Sequence, residues 1–460
     1  MPIRALAAIA VAVCLSHSAL IGRAAEKDRP ERSLDSKSAE GPAIEFPATT
    51  GSYKVGRASY HLVDSSRKEI FTEAPDDNRE LMVTVHYPAD VAADQSPSPY
   101  ADAKLAAVIS EVYHRPISFL NRIRSHAVAG ASLARKEGGY PIVIFSPGFN
   151  VHPLFYTSMV EELASQGFVV ASVCHPYSTG ATVFPDGRVV RANAEGTRFE
   201  LDKKDPQVSP RTMIEHRDAI GEIWLGDVRF VLDSLERLNE EDKLLAGQLD
   251  LAQVGIVGHS FGGSTAAAAV QRDPRFRAGI NLDGTDFSST RADKIANSVL
   301  WLLSVPPDIS KMPPPKIRQA KGDENPDAAG PKERALPLGG PLPKGGSRIV
   351  LKGDRDQPMP ALDPSKRPQM TNISQIPLKS RLTIAGSKHQ TFQTDMLLMA
   401  AAQPPAAAGD VVTIDGRRAV LVINSLVSGF FRKHLRGENV PILDNPAAEF
   451  PEAIRGSDQN

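Results

Sequence analysis

The sequence predicts an α/β fold: a mostly parallel central sheet flanked by helices, interrupted by one Pro-rich insertion. Three observations point there. Short apolar runs alternate with longer stretches of helical spacing. The runs are apolar at nearly every position, and several are stopped by Gly, Pro or Ser, as at Pro88, Ser146 and Gly258. A strand that is apolar on both faces expects cover on both faces, which is the habit of parallel sheets.

Taken in order, Leu81–Tyr87 ahead of Pro88 is rich in β-branched residues and reads as a strand. Leu105–His126 has helical spacing with a break at Pro116. Pro141–Phe145 is too short and too apolar for a helix and stops at Ser146-Pro147-Gly148. Thr157–Gln166 reads as a helix stopped by Gly167, and Phe168–Val173 as the next strand. Ala219–Leu238 is amphipathic, with Ile220, Ile223, Val228, Val231, Leu235 and Leu238 on one face. Val254–Val257 is a strand followed at once by the Ala-rich helical run Ser264–Val270, and Ala278–Leu282 is a further strand. The rhythm then breaks. The stretch 305–346, with Pro313–Pro315 and Gly339–Pro343, reads as a long insertion, lid-like or partly without fixed structure, spanning about 290–346 in all. Arg348–Leu351 and Leu382–Ala385 resume the strands, and Ala419–Leu435 is the last helix.

The ends and the composition bound the context. Arg4, an apolar run Ala5–Leu15 and small residues up to Ala25 resemble a secretory signal peptide, so 1–25 is expected to be a leader and the product periplasmic or extracellular. Residues 26–50 read as a flexible linker, and 51–455 as the folded catalytic domain. The formal net charge of −1 offers no single-sign field for nucleic acid. Only Cys14 and Cys174 occur, so loss of the leader would leave one cysteine, with neither a disulfide nor a Cys-based metal site.

Gly258-His259-Ser260-Phe261-Gly262 fits G-x-S-x-G. A strand ends just before it and a helix begins just after, the context of a nucleophile elbow. Ser260 is the candidate nucleophile. A serine hydroxyl needs a base, and in this arrangement the chain order is serine, acid, histidine. Only His389 and His434 follow the elbow. His434 sits near the end of a helix, where a capping role explains it. His389 follows a strand and a turn and is the candidate base. For the acid, Asp283 after one strand and Asp354 or Asp356 after another all satisfy the order, and spacing does not choose among them. A developing oxyanion needs N–H donors, expected from Phe261 and from Phe149 in the loop Ser146–Asn150.

Phe145–Phe149, Ala164–Val169, Gly258–Gly263, Asp273–Ile280, Leu282–Gly284 and Gly386–Gln390 occur in this order. Together they resemble the plasma-type platelet-activating factor acetylhydrolase family and its bacterial relatives, from about Tyr53 to Pro451 apart from the insertion. The resemblance implies an α/β-hydrolase fold, no cofactor and no metal, and a triad of Ser260, Asp283 and His389 with Phe149 and Phe261 as oxyanion donors. It therefore favours Asp283 as the acid. It also implies release of short or oxidised acyl groups from phospholipids. Phe119, Leu120 and Ile123, on a helix expected near the pocket mouth, are candidates for contact with a lipid surface, although such apolar helical spacing more often marks core or cap packing. Two departures bear on the substrate: Pro147 stands where animal members have a histidine, and Cys174–Tyr177 differs from their charged segment. The rival readings are a broad carboxylesterase or polyester hydrolase, and a binding protein of the same fold.

Overall fold

The structure, a computed structural model, describes residues 43–114, 120–284, 299–304, 346–351, 376–377, 380–401 and 414–455. All of them fall in one compact unit, Lys27–Val305 with Gly345–Asn460. The other unit, Met1–Glu26 with Pro306–Lys344, lies outside the described residues, and with it the expected leader and nearly all of the insertion.

In chain order the elements are β1 (Ile44–Glu45), β2 (Lys54–Lys68), β3 (Asn78–Asp90), α1 (Ala103–Tyr113), β4 (Ile123–Arg124), β5 (Val128–Ala129), β6 (Ser132–Leu133) and β7 (Tyr140–Ser146). Then follow α2 (Thr157–Ser165), β8 (Val169–Cys174), β9 (Ala181–Val183), β10 (Val189–Arg191), α3 (Arg198–Asp202), α4 (Pro210–Glu241), β11 (Leu249–His259), α5 (Phe261–Arg272) and β12 (Phe276–Leu282). The chain closes with β13 (Val299–Ser304), β14 (Gly346–Leu351), β15 (Arg381–Ile384), α6 (Thr394–Ala401), α7 (Gly416–Arg436) and β16 (Ala453–Arg455).

The main sheet runs β14-β2-β3-β8-β7-β11-β12-β13-β15-β16. From β8 to β15 every neighbouring pair is parallel. The pairs β2–β3, β3–β8 and β15–β16 are antiparallel. Strands β7 and β8 are buried at every position, as their unbroken apolar runs require. Val143, Phe145 and Val170 meet Met159 and Leu163 of α2 and Val420, Ile423 and Phe431 of α7 on one face. Ile142, Ile144 and Ala171 meet Val228, Val231 and Leu235 of α4 on the other. Each of the Val, Leu, Ile, Phe and Met side chains among them, fully buried, contributes about 1.5–3 kcal/mol.

Five expectations change. Helix α4 begins nine residues earlier than its apolar face suggests, because the Ser209 hydroxyl accepts from Thr212 N–H and Pro210 opens the helix. The run Leu105–His126 is not one helix: α1 ends at His114 in the left-handed region, and Ile123–Arg124 pairs with β1. Leu120 and Ile123 are core residues, 2% and 1% exposed, so they face no lipid; Phe119 lies outside the described residues. Residues 44–50, assigned to the linker, pack on the folded domain, since Ile44 and Phe46 are buried and Thr50 bonds Glu162. Finally Val299–Ser304, within the stretch assigned to the insertion, is a central strand between β12 and β15.

Burial also sets a pH response. His86, His152 and His259 are pushed down to about 3, 4 and 3 by burial, and His175 is lowered for the same first reason. Burial pushes Glu161 up to about 7 and Asp395 up to about 6. Below about pH 6.5 the unfolded chain protonates His86, His152 and His259 while the folded protein does not, and His175 acts in the same direction. The two carboxyls act oppositely, holding protons in the fold that the unfolded chain has shed. Between pH 6.5 and 5 these three histidines less the two carboxyls leave the unfolded chain with about one more proton, and stability falls by on the order of 1–2 kcal/mol per pH unit. Urea midpoints measured at pH 7 and 5 check this: the lower pH gives the lower midpoint, and an equal or higher one would contradict it.

Candidate active site

Phe149, Ser260, Asp283 and His389 each follow the C-terminal end of a parallel strand, the edge where open α/β sheets place their ligands. The order across the sheet is the loop carrying Phe149 after β7, Ser260 after β11, Asp283 after β12, Ser304 at the end of β13 and His389 after β15.

Ser260 sits between β11 and α5 with φ 54 and ψ −117. A non-glycine residue there stores about 1–3 kcal/mol of strain. It is held by Ser260 N–H donating to the Leu282 carbonyl at 2.9 Å and by its own carbonyl accepting from Ser264 N–H at 3.1 Å. The flanking glycines are needed for close approach. A Cβ on Gly258 would lie 2.1 Å from the Gly262 carbonyl oxygen, and one on Gly262 would lie 2.1 Å from that of Ser146.

His389 follows the turn at Gly386. Its Nε2 lies 2.9 Å from Ser260 Oγ and its Nδ1 lies 2.8 Å from Asp283 Oδ2. Asp283 also accepts from Ser304, N–H to Oδ1 and Oγ–H to Oδ2, both at 2.8 Å. Burial alone would push the Asp283 carboxyl up. The bond to His389 and those from Ser304 outweigh it and hold the group below its ordinary value. Asp283 is therefore an anion that accepts the hydrogen bond from Nδ1–H, leaving the lone pair of Nε2 facing the serine hydroxyl.

The loop after β7 packs against the elbow. Phe149 and Phe261 touch, with ring centroids 5.4 Å apart, and both contact Phe199 of α3 and Trp224 of α4. Phe261 opens α5, so its N–H points out of the helix N-terminus. Ser146 Oγ lies 3.1 Å from His175 Nε2, whose Nδ1 lies 2.8 Å from buried Asp227. Arg79 and Arg67 bind the same carboxylate, so the base of the loop is braced by buried charge.

His434 stands apart, on the last turn of α7 against Phe430. Asp354 and Asp356 lie outside the described residues. The strand before them, β14, pairs with β2 at the far edge of the sheet from β15. Sequence reasoning missed Ser304, Tyr156 and the aromatic cluster. The run Val299–Leu303 ended by Ser304 was a legible strand signal; the others depend on packing between distant segments. Among the described residues, no group of three or more His, Cys, Asp or Glu side chains could hold a metal ion.

A family model described as platelet-activating factor acetylhydrolase, isoform II, matches residues 39–306. The chain belongs to this family. Within it, the chain is 31% identical over 253 residues to a probable 1-alkyl-2-acetylglycerophosphocholine esterase of Arthroderma benhamiae. It is 31% identical over 188 residues to the platelet-activating factor acetylhydrolase of Cavia porcellus. The matches take in 52% and 38% of this chain, and 58% and 38% of the relatives' own lengths. Among solved structures, a ferulic acid esterase from Streptomyces cinnamoneus aligns with a TM-score of 0.62 and 25% identity, covering 90% of this chain and all of that one. The fold is accordingly that of the α/β-hydrolases.

Proposed function

We propose that this acetylhydrolase-family chain hydrolyses carboxylic esters through Ser260, His389 and Asp283. The unbroken hydrogen-bonded path from Asp283 through His389 to Ser260 Oγ is the observation that supports it. Nε2 of His389 takes the hydroxyl proton as Oγ attacks the ester carbonyl. The backbone N–H groups of Phe149 and Phe261 receive the negative oxygen. Collapse expels the alcohol, which takes the proton from His389, and leaves an acyl-enzyme. Water, deprotonated by His389, then releases the acid and restores Ser260.

The named relatives point to 2-acetyl phospholipids as substrates, and the sequence resemblance extends this to other short or oxidised acyl groups. On a panel, 1-alkyl-2-acetylglycerophosphocholine should turn over at least about tenfold faster than its long-chain sn-2 counterpart. Equal rates on both would contradict this assignment. A second reading, a carboxylesterase for aromatic or polymeric esters, is favoured by the aromatic cluster and the ferulic acid esterase neighbour. Trp224 Nε1 in that cluster is buried with no hydrogen-bond acceptor among the described residues. Methyl ferulate as the best substrate of the panel would select that reading.

A further inference from the structure

The oxyanion loop, the elbow and the histidine loop come from three different strands, and one buried path joins them. Gly148 N–H donates to Tyr156 Oη at 3.1 Å. Tyr156 Oη lies 2.8 Å from His259 Nδ1, and His259 Nε2 lies 3.0 Å from the carbonyl oxygen of His389. Tyr156 and His259 are both 0% exposed.

The direction of each bond follows from its chemistry. A carbonyl only accepts, so His259 Nε2 carries a proton. Burial first, and the neighbouring His389 second, keep this ring neutral at ordinary pH, so Nδ1 is an acceptor. Tyr156 O–H then donates to Nδ1, and its oxygen takes Gly148 N–H. The fit is close: a Cβ on Gly148 would come within 3.0 Å of His259 Nδ1 and 3.2 Å of Tyr156 Oη.

We propose that His259 and Tyr156 are positioning residues that fix the histidine loop and the oxyanion loop relative to Ser260. Neither touches the reacting atoms. Asp283 aims the His389 ring, but the loop carrying that ring is anchored to the elbow through its carbonyl. The same neutral histidine, through Tyr156, anchors Gly148, one residue before the oxyanion donor Phe149. Misplacing such groups by about 1 Å can cost about a hundredfold in rate.

The proposal rests on Ser260 being an activated nucleophile, and a fluorophosphonate probe separates the two claims. In its reaction the Oγ–P bond forms, the P–F bond breaks, fluoride leaves and His389 holds the proton. Wild type should label on Ser260; no labelling overturns the functional reading and the proposal with it. Tyr156→Phe, nearly isosteric, should lower the maximal labelling rate about 10- to 100-fold and leave the half-saturating probe concentration within about twofold. His259→Leu should do the same or worse. His259→Gln should recover part of the loss, because an amide can accept from Tyr156 and donate to the His389 carbonyl. Tyr87→Phe is the control: its hydroxyl is as buried and bonds the Ala131 carbonyl away from the site. Labelling by Tyr156→Phe within about twofold of wild type overturns the proposal. So does a loss that merely follows the fall in melting temperature set by Tyr87→Phe.

Discussion

Replacing Ser260 by alanine should lower kcat for a short-chain p-nitrophenyl ester about 10⁵- to 10⁶-fold. The fold should survive. Alanine inherits the same backbone strain, and the bonds that hold the elbow are made by backbone groups of Ser260, Leu282 and Ser264. Residual turnover, about 10³ above the uncatalysed rate, would come from the oxyanion donors and substrate binding. A Ser260→Ala enzyme with a tenth or more of wild-type kcat would remove the nucleophile from the mechanism. The same comparison disposes of a non-catalytic binding protein, for which wild type and variant would be equally inert.

Asp283→Asn should lower kcat about 10⁴-fold, roughly 5–6 kcal/mol of barrier, with little change in KM. The reason lies in Ser304. Its backbone N–H must meet an oxygen, so Oδ1 of the asparagine stays there. The amide nitrogen then replaces Oδ2 opposite His389 Nδ1 and offers a proton where one was accepted. Nδ1 becomes the acceptor, the ring proton moves to Nε2, and Nε2 can no longer take the serine proton. Asp354→Asn and Asp356→Asn should stay within about twofold of wild type. A loss at either of them comparable to that at Asp283 would contradict the assignment.

The contrast between the two sites shows what local sequence can carry. The elbow is legible because strand, turn glycines, serine and helix are consecutive in Val254–Val270. His389 is legible because chain order leaves so few histidines. The acid is not, since Asp283, Asp354 and Asp356 all follow strands. The deciding fact is strand order: β12 lies beside β11 in parallel register from Val254 to His259, while β14 lies beside β2. Pairing between strands far apart in sequence leaves no local pattern, and here only the family resemblance anticipated it. The same holds for Tyr156, which meets His259 across 103 residues; β13, by contrast, is legible as an apolar run, Val299–Leu303, inside the stretch assigned to the insertion. The early start of α4 was legible in Ser209-Pro210, but the apolar face alone begins later.

The central claim is that Ser260 carries the acyl group. Rapid mixing with excess p-nitrophenyl acetate, an acid quench and peptide mass mapping test it directly. The expected result is acetylation of the peptide containing Ser260 in the wild type, and none in Ser260→Ala. Acetyl on any other residue, or steady turnover with no acetylated Ser260 at the earliest quench, would contradict the account.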